Sequence, residues 1–94
     1  MEDKKLITVT TLLEMYQIEP SFFDAICEYE LVRVVTVGQE QCIEADQLSE
    51  VERLIRLHYH LEINMAGIDV IFNLLERMRT MQEELNVLRG SREE

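Results

Sequence analysis

Apolar residues in this chain keep helical spacing over the longest span between Asn64 and Arg89, a stretch with no proline and one glycine, Gly67. Ile68, Val70, Ile71, Phe72, Leu74 and Leu75 cover a wide arc. Beyond Glu76 the arc narrows to Met78, Met81, Leu85 and Leu88, with Val87 to one side. Asn64 suits the helix start, because its side-chain oxygen can accept one of the free amides of the first turn. The pattern predicts one helix of about 39 Å at ~1.5 Å per residue. A compact domain made of the remaining chain is about 27 Å across. The helix should therefore overhang its own domain.

Ile71, Leu74, Met78, Met81, Leu85 and Leu88 alternate steps of three and four, the spacing of a coiled-coil seam. With Ile71 at position a, Leu75, Gln82 and Arg89 flank the seam at e, and Arg77 and Glu84 at g. Glu84 pairs with Arg89 of a parallel mate, whereas Arg77 faces Glu84 in an antiparallel one, and both orientations stay open. Isolated helices of this length are marginal in water. Each seam side chain contributes roughly 1.5–3 kcal/mol once buried. The stripe thus needs a covering surface: its own domain, a second copy of the chain, or a partner helix. Two methionines make it a weakly specifying seam.

Upstream, Leu6-Ile-Thr-Val9 is short and extended. Thr11 with Glu14 three residues later matches a capping box and opens a helix to about Gln17, with Leu12, Leu13 and Tyr16 facing inward. Ile18 marks the turn, and Pro20 suits a first helical position. A second helix over 20–30 places Phe22, Phe23, Ile26 and Cys27 on one face. Two short helices joined by a tight turn make a helix-turn-helix. Leu31 to Val37 is β-branched and extended, residues 38–41 turn, and Cys42 to Glu44 return, so a hairpin wing follows. Asp46 is placed to cap a third helix running to about Glu62. The predicted division is a winged helix-turn-helix over 1–63, a long helix over 64–90 and a frayed tail over 91–94. The fold class is mainly α, with a small β-hairpin wing.

Ninety-four residues make one small domain, and 47% apolar residues supply a small but real core. Charge changes the picture more. Nine basic against nineteen acidic side chains leave a net charge of −10. Residues 1–63 hold thirteen acids and five bases, and residues 64–94 six and four. Nucleic-acid affinity depends on neutralising phosphates with Lys and Arg, so a chain of this balance favours a basic partner. The second helix would enter the major groove of a duplex, yet it carries Glu19, Asp24, Glu28 and Glu30 and no cation.

Met1 to Lys5 is charged and no apolar segment follows it, which does not read as a signal peptide. No apolar run is long enough to span a membrane. Cys27 and Cys42 lack metal-site or CxxC spacing, and a reduced, cytoplasmic setting fits them. His58 and His60 point about 200° apart on a helix and cannot share a metal. No phosphate loop, dinucleotide fingerprint, HExxH or nucleophile elbow occurs. The residues point to a non-enzymatic chain with no cofactor and no metal.

The order of elements resembles MerR-like regulators, and more closely the small MerR-like chaperone-modulator family. The resemblance covers about residues 6–88. It is carried by Ile7-Thr-Val-Thr-Thr11, Ile18-Glu-Pro-Ser21, Tyr29-Glu-Leu-Val32, Leu54 to Leu61, the junction Leu61-Glu-Ile-Asn-Met-Ala-Gly-Ile68, Ile71 to Leu75, and the Met81 to Leu88 stripe. The chain departs from that pattern at Glu30, where glycine is often found, and at Val35, where proline is. The resemblance implies a chaperone modulator that binds the J-domain of a DnaJ-type co-chaperone and inhibits its cooperation with Hsp70. J-domains of that kind present a basic helix, which an acidic surface can occupy. The candidate contact residues are Ile18, Glu19, Ser21, Phe22, Asp24, Glu28 and Glu30, with Ile18 or Phe22 as apolar anchor. The alternative is a MerR-type transcription regulator that binds DNA as a dimer through the long helix.

Overall fold

The computed structural model describes residues 5–92, and the charged start over 1–4 and the end over 93–94 lie outside the described residues. The elements are β1 (Leu6–Thr8), α1 (Val9–Tyr16), α2 (Pro20–Glu28), β2 (Val35–Val37), β3 (Glu40–Glu44), α3 (Leu48–Ile55) and α4 (Met65–Arg92). A 3-10 turn over Ala45–Gln47 precedes α3, and a π-helical turn over Arg56–His60 follows it. The protein is mainly α-helical, with a small antiparallel sheet of order β1-β3-β2.

Two caps differ from expectation. Thr8, not Thr11, caps α1: its hydroxyl accepts the Thr11 amide at 3.2 Å, and Val9 is already helical. Asp46 does not cap α3; it lies inside the 3-10 turn, and α3 starts without a side-chain cap. Asn64 does cap α4, accepting the Gly67 amide at 2.8 Å. A Cβ added at Gly67 would lie 2.8 Å from the Cγ2 of Ile63, so any larger residue there would have to displace that side chain.

The helices end by a common device. Gln17, Glu30 and Glu62 adopt left-handed backbone, with φ of 56°, 60° and 58°. Each is followed by an apolar residue whose amide reaches back: Ile18 to Leu13, Leu31 to Ile26, and Ile63 to Leu57. The first two are Schellman endings, in which the hydrophobic residue after the left-handed one packs against the last turn. This explains why α2 stops at Glu28 and not at Glu30. The third ends the π turn, so the predicted third helix to Glu62 is instead α3 followed by a wider coil.

The wing is a hairpin turning at Gly38 (φ 64°), with β3 starting at Glu40, two residues earlier than the pattern suggested. β1 adds a third strand by pairing Ile7 with Ile43, a contact across the chain that local pattern does not show. Gln47 is only 3% exposed, and its amide group both accepts from the Arg33 N–H and donates to the Arg33 carbonyl, each at 2.9 Å. The wing base is thereby tied to the start of α3.

Leu12, Ile26, Ile43, Val51, Leu54 and Ile68 are fully buried at the centre, with Phe22, Phe23, Val32 and Ile18 around them. Only the first turns of α4 join this core, through Ile68, Met65 and Phe72. From Glu76 to Gly90 every residue of α4 is exposed. The radius of gyration is 16.4 Å, against about 12 Å for a compact chain of this length. The overhang is real. The helix also continues through Gly90 to Arg92, beyond the predicted fraying point.

Candidate partner-binding surface

α2 presents its outward face at the surface of the helix-turn-helix. Glu19, Ser21, Asp24, Glu28 and Glu30 are all exposed. Pro20, Asp24 and Glu28 follow one another at four-residue steps and so form one ridge. Ile18 and Phe22 do not join this face. Each is 5% exposed and belongs to the core, Ile18 because it closes α1 and Phe22 because it lies nearly half a turn of helix from Pro20 and Asp24 on the ridge. Neither is available as an apolar anchor.

Exposed apolar side chains in the helix-turn-helix are instead Tyr29, which directly follows α2, and Met15 on α1. Tyr29 was legible only as part of a motif, since its exposure depends on where α2 ends.

Glu19 is held from below. Its backbone N–H donates to the Tyr59 hydroxyl at 3.1 Å, and the Phe22 ring beside it stacks on His58 with centroids 4.1 Å apart. The π turn thus supports the start of α2. Across the molecule the Tyr16 hydroxyl donates to Glu52 at 2.8 Å, which pushes the Tyr16 pKa up; burial adds to the same direction. Neither contact has a sequence signal, because the partners lie 36 and 40 residues apart.

Electrostatics separate the surfaces. α2 and the wing from Val35 to Glu44 contain no Lys or Arg, while Asp24, Glu28, Glu40 and Glu44 lie on them. The exposed arginines sit elsewhere: Arg33 at the wing base, Arg53 and Arg56 on the α3 side, and Arg77, Arg79 and Arg89 on α4. Arg79 is paired with Glu76 at 2.6 Å. No basic residue offsets the acids in the last turn of α2, where carboxylates face the negative end of the helix dipole.

Along α4, Leu74, Met78, Met81, Leu85 and Leu88 are exposed, as are Val70 and Val87. Ile71 is half-buried and differs from the other seam residues. The apolar stripe that remains open therefore runs from Val70 to Leu88, about 27 Å at ~1.5 Å per residue. It is not folded back on the domain.

An open groove of about 720 Å³ between the start of α1 and the wing is lined by Thr8, Thr10, Thr11, Thr36, Gln39 and Glu40, among others. His58 is half-buried and His60 exposed. Burial, and then Asp24, push the Cys27 thiol pKa up, which disfavours the thiolate. Cys42 is buried. Among the described residues no group of three or more His, Cys, Asp or Glu could hold a metal ion, and no helix is long and apolar enough to cross a membrane.

Comparison with known proteins agrees with the geometry at the level of the family. The family described as MerR HTH family regulatory protein matches residues 7–90, from β1 almost to the end of α4. No curated protein and no solved structure matches the chain. With helix-turn-helix, wing and long terminal helix all inside the matched span, the chain belongs to the MerR HTH family of regulatory proteins.

Proposed function

We propose that this chain is a non-enzymatic regulator that grips protein and not DNA. In this reading it binds the J-domain of a DnaJ-type co-chaperone in the cytoplasm and inhibits cooperation with Hsp70. The observation that carries the reading is the absence of any cation from both groove-reading elements, α2 and the wing. Phosphate neutralisation by Lys and Arg dominates duplex affinity, and a recognition helix bearing Asp24 and Glu28 opposes it. A basic helix of a J-domain complements the same face, with Glu19, Ser21, Asp24, Glu28 and Glu30 as contacts. Such complementarity mainly supplies on-rate and orientation. The choice of a J-domain rests on the resemblance of the chain to the chaperone modulators.

A second copy of the chain, joined along the stripe from Val70 to Leu88, is the proposed occupant of the α4 surface. A DNA-binding MerR regulator is the alternative, with which the family match is equally consistent. Calorimetric titration against a DnaJ-type J-domain tests the leading reading. A saturable complex whose affinity falls with added salt supports it. No heat and no complex at about 100 μM, which sets affinity weaker than roughly −5.5 kcal/mol, removes it.

A further inference from the structure

β2 lies at one edge of the sheet, whose order is β1-β3-β2. Its outer row of backbone groups has no strand to pair with among the described residues. Val37 pairs with Glu40 across the two-residue turn, and Thr36 and Val35 pair with Gln41 and Cys42. The pair that closes such a turn exchanges ladder hydrogen bonds, and bonded and non-bonded pairs then alternate. Thr36 thus turns its N–H and C=O away from β3, toward the open edge. Charges and prolines shield many sheet edges, and Val35–Val37 carries neither. All three of its side chains are β-branched and exposed.

The two faces beside this edge differ in chemistry. Side chains alternate along a strand, so Val35 and Val37 share one face, 39% and 52% exposed. Thr36 lies on the other face with its pair partner Gln41, and both line the groove between the start of α1 and the wing. Glu40 is the one ionisable side chain in that lining. The side chains of Thr36, Glu40 and Gln41 make no hydrogen bond among the described residues. A strand added at this edge sets alternate side chains on the valines and over the groove. A second copy of β2 would bring its own Glu40, on a domain of thirteen acids and five bases, and like charges oppose that pairing. The wing, with no Lys or Arg of its own, complements a basic segment instead.

We propose that the open edge of β2 takes an extended basic segment of a partner protein as a fourth strand. Apolar residues of that segment lie on Val35 and Val37, and a Lys or Arg between them reaches over Thr36 toward Glu40. Backbone hydrogen bonds to Thr36 hold the segment, and the two unlike faces select its sequence. The site is on the wing and not on α2, so it stands independently of the J-domain reading.

The test follows amide chemical shifts of the isotope-labelled full chain during titration with a synthetic peptide that alternates valine with lysine. Peptide is added to about 1 mM, so that affinities of that order register. Saturable shifts at the Val35–Val37 amides are expected. N-methylation of one alternate set of peptide amides should abolish them, and N-methylation of the other set should leave affinity within about twofold, because an added strand bonds along one edge only. Thr36→Pro removes the outward N–H at a position where an edge tolerates proline, and should weaken binding at least about fivefold. Should that variant fail to fold by circular dichroism, the N-methylated peptides decide the matter on the parent chain. A peptide alternating valine with glutamate should bind at least about tenfold more weakly. Equal binding of the two N-methylated peptides, shifts confined to α2, or no shift at all would overturn the proposal. Shifts at Val35–Val37 that grow with the chain's own concentration, without peptide, would give the edge to a second copy and overturn the choice of partner.

Discussion

His58 lies flat on Phe22, with ring centroids 4.1 Å apart and planes 9° from parallel. Tyr59 meets both rings edge-on, at 5.4 Å and 4.7 Å. The three rings join the π turn to α2, the helix at the centre of the proposed contact. The His58 Nδ1 is buried in this cluster with no hydrogen-bond partner. An unpaired buried polar atom carries its desolvation penalty uncompensated. His58→Phe keeps the stack and removes that atom, so stability should rise by about 1 kcal/mol. Urea denaturation at pH 7 measures it, and a loss of stability would contradict the role assigned to the ring.

Gln47 is the buried polar residue whose two hydrogen bonds both go to the backbone of Arg33. Gln47→Leu keeps approximate volume and strands that amide and carbonyl. The expected destabilisation is about 1–3 kcal/mol. Hydrogen exchange at the Arg33 amide should accelerate by at least the same factor, because the wing base loses its tether. An unchanged exchange rate would show that the tether does not hold the wing.

Gln17 and Glu30 occupy positions that glycine fills more easily. Gln17→Gly and Glu30→Gly should each stabilise the fold by up to about 1 kcal/mol, the relief of left-handed strain less the added freedom of the unfolded chain. Thermal melting of the two single variants and the double variant checks this. The double variant should show near-additive gains, since the sites are distant in sequence and share no hydrogen bond.

Much of this architecture was legible because its causes are local. Helical spacing identified α1, α2 and α4, and Asn64 announced itself as a cap because its acceptor lies three residues from the amide it serves. The departure noted at Glu30, where glycine was expected, marks the left-handed residue that ends α2. Local cues also misled. Thr11 and Glu14 match a capping box, but Thr8 offers the same chemistry one turn earlier, and pairing of β1 with β3 fixes the chain there. Ile18 read as a turn residue open to a partner, whereas closing α1 buries it. The contacts of Gln47, Tyr59 and Glu52 join residues 14 to 40 positions apart and leave no periodic trace. The π turn is likewise invisible, since its residues keep a helical composition.

The stripe on α4 makes the self-association proposal measurable. Met78→Asp with Leu85→Asp places charges on a surface that already faces solvent in one chain, so the domain should remain folded. Solution mass should fall from that of a dimer to that of a monomer. The melting temperature of the parent, and not of the variant, should rise with protein concentration. A monomeric parent would leave the stripe to a different partner.

The most direct measurement of the central claim sets duplex DNA against a J-domain in one experiment at physiological salt. Fluorescence anisotropy of a labelled duplex and of a labelled DnaJ-type J-domain, each titrated with the full chain, reads both. Saturable binding of the J-domain, weakened by Asp24→Lys with Glu28→Lys, together with no retention of the duplex, is the predicted result. Tight duplex binding with a steep salt slope and an indifferent J-domain would contradict it.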